Sequence, residues 1–507
     1  MSRVRYNIAS RRLHEILGTA REEEFFALSW ATHAFQNGRE EAASRYFRFP
    51  PNAVGDLFDC KWPVFPWAIE TLLNELLVAP KRPLTWPPLQ KNFDGIRRAF
   101  NALCDLEGAA YQLLPSEARG VVGLGRVVQR QFEWQRGDIS LPQLVRAHFL
   151  YGGERYGSAF EQKHGVTVSQ FTFCCFAFFL IAQKQPFFGV PRALPILDLE
   201  SDVITRVVNL LSMTLDEARS AASLEREVPE ADPSYRPSVF RHHPLIRFGE
   251  LYAAPLPALI VSRSTSGLFY DLAGAEGGIR NEVSGRFEAY CSRLLSSMLA
   301  SMRTLPEFSY RLLGQNWVSP DVVMIEGDSS IRVIVECKAT RMPVPARFAA
   351  QPHIDDARGY AELARGITQI WRFASHCRHG SPGGMGRHDD LAGLLITLDS
   401  WLTMAGGIAD EVFALAHRLA DEDPGISPSD RIHVNFVSIE DLELLLAMST
   451  DEQFFETLAA ASAIEFKHWL LPNVRRQIAP ALTKQRDYGL KDTVSDLVPW
   501  WRAIERL

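Results

Sequence analysis

Residues 319–339 read SPDVVMIEGDSSIRVIVECKA. Asp321 opens the first of two apolar runs, and Glu336 and Lys338 close the second. Side chains alternate between the faces of a strand, so Arg332, Ile334, Glu336 and Lys338 share one face and Ile331, Val333, Val335 and Cys337 the other. If residues 327–330 form a four-residue hairpin loop, Glu326 pairs with Ile331 and Asp321 lies opposite Glu336. A five-residue loop turns Asp321 to the wrong side, because a one-residue slip swaps faces. The favourable register puts two carboxylates about 5 Å apart, with an ammonium two residues along. Carboxylates that close resist joint ionisation. A divalent cation resolves the conflict, and hard oxygen ligands are what Mg²⁺ or Mn²⁺ accepts.

The elements around this pair define the fold class. At 507 residues the chain exceeds one ordinary core, and two or three domains are expected. Residues 1–228 read mostly as helices, with apolar residues three and four apart, as in WAIETLLNELL. Four prolines in 229–244 (PEADPSYRPSVFRHHP) mark a linker. After it, LIRFGELYAA and PALIVSRS read as strands. A helix over 282–303, the quoted strand pair, a helix near 357–374 and two strands in LAGLLITLD and RIHVNFVSI follow. Strands alternating with helices make 245–450 an α/β (α+β) domain, and 451–507 returns to helix as a C-terminal extension.

Pro320-Asp321 with Glu336-Cys337-Lys338 fifteen residues beyond the aspartate resembles the PD-(D/E)xK signature of restriction-endonuclease-like nucleases. The resemblance spans roughly 279–450. It implies a restriction-endonuclease-like core that hydrolyses phosphodiester bonds with Mg²⁺ or Mn²⁺. Asp321 and Glu336 would then be metal ligands, and Lys338 would orient or activate the attacking water. The family usually adds an acidic residue from the preceding helix. Glu288 fits, falling between Leu295 and Leu299 at the edge of an apolar face built from Phe287, Tyr290, Cys291, Leu294, Met298 and Met302. Many members also place a glutamine on the helix after the ExK strand, and Gln369 in ARGITQIWRF matches, with Arg365 one turn earlier. By family habit the substrate is DNA. A large helical region fused to such a core is similar to bacterial nucleases that defend against phage. A DNA repair or recombination nuclease, or a non-cleaving nucleic-acid-binding scaffold, are the alternatives. The residues 1–228 would recognise substrate, a protein partner or a second copy of the chain.

A hydrophobic content of 47% with 22% charged residues describes a soluble globular protein. Net charge is −6, so nucleic acid would have to meet a local basic surface. FKHWLLPNVRRQIAPALTKQRDYGLK supplies the best one, with Arg475, Arg476, Lys484, Arg486 and Lys491. Seven cysteines without CxxC spacing and an N-terminus without an apolar leader point to the cytoplasm. The longest apolar run, FTFCCFAFFLIA, is too short to span a bilayer and reads as a buried helix. There are nine lysines against 45 arginines, and Lys338 stands alone between Lys184 and Lys467. Three other tripeptides match ExK or DxK, at 59–61, 161–163 and 465–467. None follows a Pro-Asp strand, and all are assigned solvated or capping roles. The glycines near 120–125 lack the strand and GK[ST] of a phosphate loop. His376, Cys377, His379 and His388 match no usual zinc spacing and suggest a loop near the nuclease face. FEQKHGVTVSQF resembles a helix-turn-helix corner, but its second helix is too apolar for a DNA groove.

Overall fold

A computed structural model describes residues 2–504 apart from 56, 58, 84, 115–123, 136, 138, 192, 195–198, 227–232, 272–276, 348–355, 381, 402–405, 481–484 and 499. The fold is mixed α/β. A five-stranded sheet runs in the order Val434–Ser438, Gly386–Thr397, Ser330–Lys338, Val322–Glu326, Met302–Pro306. The first three of these strands are mutually parallel and the last two join antiparallel. Each parallel step is bridged by a helix, Ala357–Gly380 and then Gly406–Asp421, as a crossover requires.

Both faces of this sheet are covered, which explains why its strands read as nearly continuous apolar runs. Val323, Ile325, Ile334 and Leu395 pack with Ile367, Ile370 and Trp371 of the Ala357–Gly380 helix. On the other face Val322, Met324, Val333 and Val335 pack with Phe287, Cys291 and Leu294 of the Gly277–Met298 helix. That second core continues into Phe149, Phe171 and Phe178 of the N-terminal half, and into Leu442, Phe454 and Trp500 near the C-terminus. Fully burying one such aliphatic or aromatic side chain contributes about 1.5–3 kcal/mol. A separate helical core gathers Leu13, Phe26, Trp30, Leu72 and Leu103.

Several expectations shift. The stretch 1–228 is mostly helical, yet Phe187–Gly189 and Ser212–Thr214 are strands. They flank Leu251–Ala253 and Leu245–Phe248 in a second, four-stranded sheet, so hydrogen bonds cross the proline-rich segment. PALIVSRS is a helix, Ala258–Ser264, opened by Pro257 at φ −55°. β-branched Ile260 and Val261 suggest a strand locally, but burial against tertiary neighbours decides. The helix bearing Glu288 ends at Met298, and Met302 instead begins a strand. The histidine- and glycine-rich stretch is not a loop: helix runs to Gly380, a single turn spans Pro382–Gly384, and strand begins at Gly386. His376 bonds the Tyr310 hydroxyl at 2.6 Å and His388 meets Glu326 at 3.0 Å, so the histidines serve separate contacts. FTFCCFAFFLIA lies within the buried helix Val168–Ala182, and among the described residues no single helix is long and apolar enough to cross a membrane.

Candidate functional site

The hairpin carrying Asp321 reaches the expected register by a different route. Its loop has three residues, with Glu326 opposite Ser330 and Gly327 at φ 61°. Left alone, that loop would offset the pairing by one. Arg332 restores it: Ile325 faces Ile331 but Met324 faces Val333, so Arg332 is the extra residue of a bulge. Beyond the bulge Val322 faces Val335, which sets Asp321 opposite Glu336. The bulge also moves Ile331 to the Ile334 face, away from Val333, Val335 and Cys337. Arg332 is itself held by Glu326 at 2.6 Å and by the Phe455 ring at 4.3 Å.

Asp321 and Glu336 meet around the end of the strand. The Cys337 backbone N–H donates to Asp321 Oδ2 at 2.6 Å, fixing that carboxylate across the hairpin. Lys338 Nζ donates to Glu336 Oε1 at 2.7 Å and to Gln369 Oε1 at 3.3 Å. Glu336 is 2 % exposed, and its Oε2 is buried with no hydrogen-bond partner among the described residues. A buried carboxylate oxygen without a donor costs free energy unless something else meets it. Burial pushes the Glu336 pKa up to about 7, with help from Asp321 and Glu288 and against the Lys338 ammonium. Burial also raises Asp321, opposed by the Cys337 N–H and Lys338. Glu288 is half-buried on its helix and is pushed up to about 7, first by burial, then by the charges of Asp321 and Glu307. Lys338 is held above its ordinary value: burial works against the ammonium, but the Glu336 charge and hydrogen bond outweigh it.

All five side chains singled out in the sequence therefore share one neighbourhood. Glu288, Lys338 and Gln369 line a groove of about 830 Å³, together with Glu362, Arg365 and Arg372. Glu307 was missed. It follows the Met302–Pro306 strand, whose Pro306 faces Val322, so the antiparallel register carries Glu307 toward Asp321. Only knowledge of that strand pairing would have found it. Much of the C-terminal basic patch is engaged in contacts within the chain, although Arg476 stays exposed beside Asn473 at 2.9 Å. Arg475 is 1 % exposed and donates to Gln453 at 2.7 Å, Arg486 is spent on Asp451 and backbone carbonyls, and Lys491 pairs with Asp487. Lys484 lies outside the described residues.

Gly366 sets how closely the helix approaches the strand end. A Cβ there would lie 2.9 Å from Leu395 Cδ1, 3.0 Å from Lys338 Cε and 3.3 Å from Glu336 Cγ. The crowded atoms are mostly side-chain ends, so Gly366→Ala should fold, with helix propensity offsetting part of the clash. The Lys338 ammonium must move to make room. If this residue pair does the chemistry, activity should fall about 10- to 100-fold while thermal melting shifts by only a few degrees.

The donor set suits a hard divalent cation. It offers Glu336 Oε2, Asp321 and Glu288, all oxygen ligands whose ionised forms are disfavoured by burial and by one another. Among the described residues no three acidic, histidine or cysteine side chains converge into a ready-made metal cage. A site with one or two carboxylates completed by water and phosphate is what Mg²⁺ commonly uses. No protein-family model matches the chain, and no curated protein or solved structure is significantly similar to it.

Proposed function

We propose that the protein is a metal-dependent nuclease with a restriction-endonuclease-like core, hydrolysing phosphodiester bonds of DNA. The observation that carries this reading is the buried, unpartnered Glu336 Oε2 beside Asp321, with Lys338 hydrogen-bonded to the same carboxylate. Asp321 and Glu336 would hold Mg²⁺ or Mn²⁺, with Glu288 completing that site or a second one. The cation, when bound, supplies Lewis-acid polarisation of a phosphate oxygen and a more acidic water. Lys338 points its ammonium at the groove, where it positions the water and stabilises charge developing on the phosphorus oxygens. Gln369 accepts from that ammonium and fixes its direction. A compact, three-donor ammonium suits this role better than a planar guanidinium.

The groove itself is not strongly basic. Lys338, Arg365 and Arg372 are set against Glu288, Glu362, Glu422 and Asp423, and Arg372 already pairs with Asp423 at 2.8 Å. Attraction of a polyanion to this groove thus depends on bound cation. Incubation with plasmid, linear duplex, single-stranded DNA and RNA should give cleavage with Mg²⁺ or Mn²⁺ and none in EDTA, with DNA preferred. Cleavage that is undiminished in EDTA, or absent from every substrate with metal present, would overturn the proposal. The second outcome combined with no Mn²⁺ binding favours a non-cleaving scaffold. The resemblance favours a role in defence against phage over one in repair or recombination.

A further inference from the structure

Away from the groove, a cavity of about 90 Å³ lies between the N-terminal helices and the segment that follows the Glu336 strand. The helix Pro66–Val78 contributes Trp67 and Glu70, and the helix Leu124–Gln135 contributes Arg130 and Glu133. Residues 234–242 add Arg236, Ser238 and Arg241, and Arg341 and Arg347 complete the wall. Five arginines and two glutamates therefore face one small space.

Most of these arginines are already paired at their terminal nitrogens. Arg130 meets Glu107 at 2.8 Å, Arg236 meets Glu75 at 3.4 Å and Arg347 meets Asp399 at 3.0 Å. Arg241 bridges Glu70 and Glu133. Yet among the described residues the Nε–H groups of Arg130, Arg236, Arg341 and Arg347 are buried with no acceptor, and so is the Ser238 hydroxyl. Buried donors are nearly always satisfied, and here five orphans belong to residues lining the same cavity. Arg341 is the decisive one. It is 9 % exposed and lines this cavity and a smaller one beside it; the Asp399 charge acts on it, but among the described residues no carboxylate hydrogen-bonds it.

We propose that this cavity is a binding site for a phosphate-sized oxyanion, held by Arg341, its neighbouring arginines and Ser238. A tetrahedral oxyanion offers several charged acceptors at once to clustered guanidinium and hydroxyl donors. The volume is sufficient: at about 10–15 Å³ for one water by this measure, the cavity has room for a tetrahedral oxyanion. The anion could arrive free or as the phosphate of a monoester reaching in from the mouth. Arg341 lies three residues beyond Lys338, so an occupied cavity would tie the N-terminal helices to the segment leaving the candidate site.

The test is calorimetric titration of the full chain with inorganic phosphate and with 5′-AMP, against chloride at matched ionic strength, together with melting curves. Saturable binding is expected, weakened about 10-fold or more in Arg341→Gln through loss of charge-assisted hydrogen bonds. Ser238→Ala removes a hydroxyl that has no partner to lose, so it should fold and still bind more weakly, which decides the matter if Arg341→Gln is unstable. Tighter binding of 5′-AMP than of phosphate identifies the monoester as the natural source, and the reverse order identifies the free anion. No binding of either at millimolar concentrations, or parental affinity in the folded variants, overturns the site. Binding is read without cleavage, so its failure and failure of the nuclease proposal are separate results.

Discussion

Lys338→Ala is expected to lower metal-dependent cleavage by about 100- to 1,000-fold, the usual effect of removing one donor aimed at developing charge. Mn²⁺ binding at pH 8 should stay close to parental. The ammonium touches Glu336 Oε1 but leaves Oε2 free, so its removal takes away no oxygen ligand. Glu336→Gln and Asp321→Asn should behave differently and lose both activity and Mn²⁺ affinity, because each deletes a charged ligand. Lys338→Arg should not rescue. Its larger guanidinium would have to fit the narrow space beside Gly366, where Lys338 Cε lies 3.0 Å from the position a Cβ would take. Calorimetric Mn²⁺ titration run beside a cleavage assay separates the two patterns. Parental turnover in Lys338→Ala, on a substrate the parent cuts only with metal, would remove Lys338 from the mechanism.

The candidate site was more legible in the sequence than the frame around it. Asp321, Glu336 and Lys338 announce themselves because charged residues at the ends of apolar strands are costly without a purpose. Glu288 could be placed because a helical face is set by a fixed period, and Val283, Phe287, Tyr290, Cys291 and Leu294 are buried along it. The hairpin register was inferred correctly for a reason that was only half right. A three-residue loop plus one bulged arginine and a four-residue loop without a bulge leave Asp321 in the same place. What alternation could not reveal was the bulge itself, since Arg332 differs from any other solvent-facing strand residue only through its partners Glu326 and Phe455.

The remaining misses share a physical origin. Ala258–Ser264 became a helix despite its β-branched centre, and Met302 left its helix for a strand, because partners distant in sequence supplied the deciding contacts. Glu307 acquires meaning only once Pro306 is known to face Val322. The proline-rich segment was legible as a break in local pattern, but the strands on either side of it pair with one another, as Ser212 with Leu245 and Phe187 with Ala253. Proline density reports where the chain cannot continue a helix. It carries no information on which strands meet afterwards.

The protonation of Glu336 gives the second large expectation, which needs no substrate. In EDTA the parent chain should lose stability as pH rises from about 5 to 8, by more than the Glu336→Gln variant does. Folded Glu336 titrates at about 7 against an ordinary value of 4.5, so between those values the folded chain holds a proton that the unfolded chain has released. Stability therefore falls as pH climbs through that window. Glu336 alone accounts for on the order of 2–3 kcal/mol, part of it shared with Asp321 and Glu288 through their mutual repulsion. Glu288 adds less, because it is only half-buried and water screens it. Gln at position 336 cannot ionise, so the variant should show a flatter profile and exceed the parent in stability at pH 8. Mn²⁺ should reverse the order at that pH: the cation binds the ionised parent site and stabilises it by mass action, while the variant gains little. Urea unfolding of both proteins at pH 5 and 8, with EDTA or Mn²⁺, reads all four conditions. The same pH dependence in parent and Glu336→Gln would mean that Glu336 is not held protonated in the fold, and the electrostatic case for a metal at this strand end would go with it.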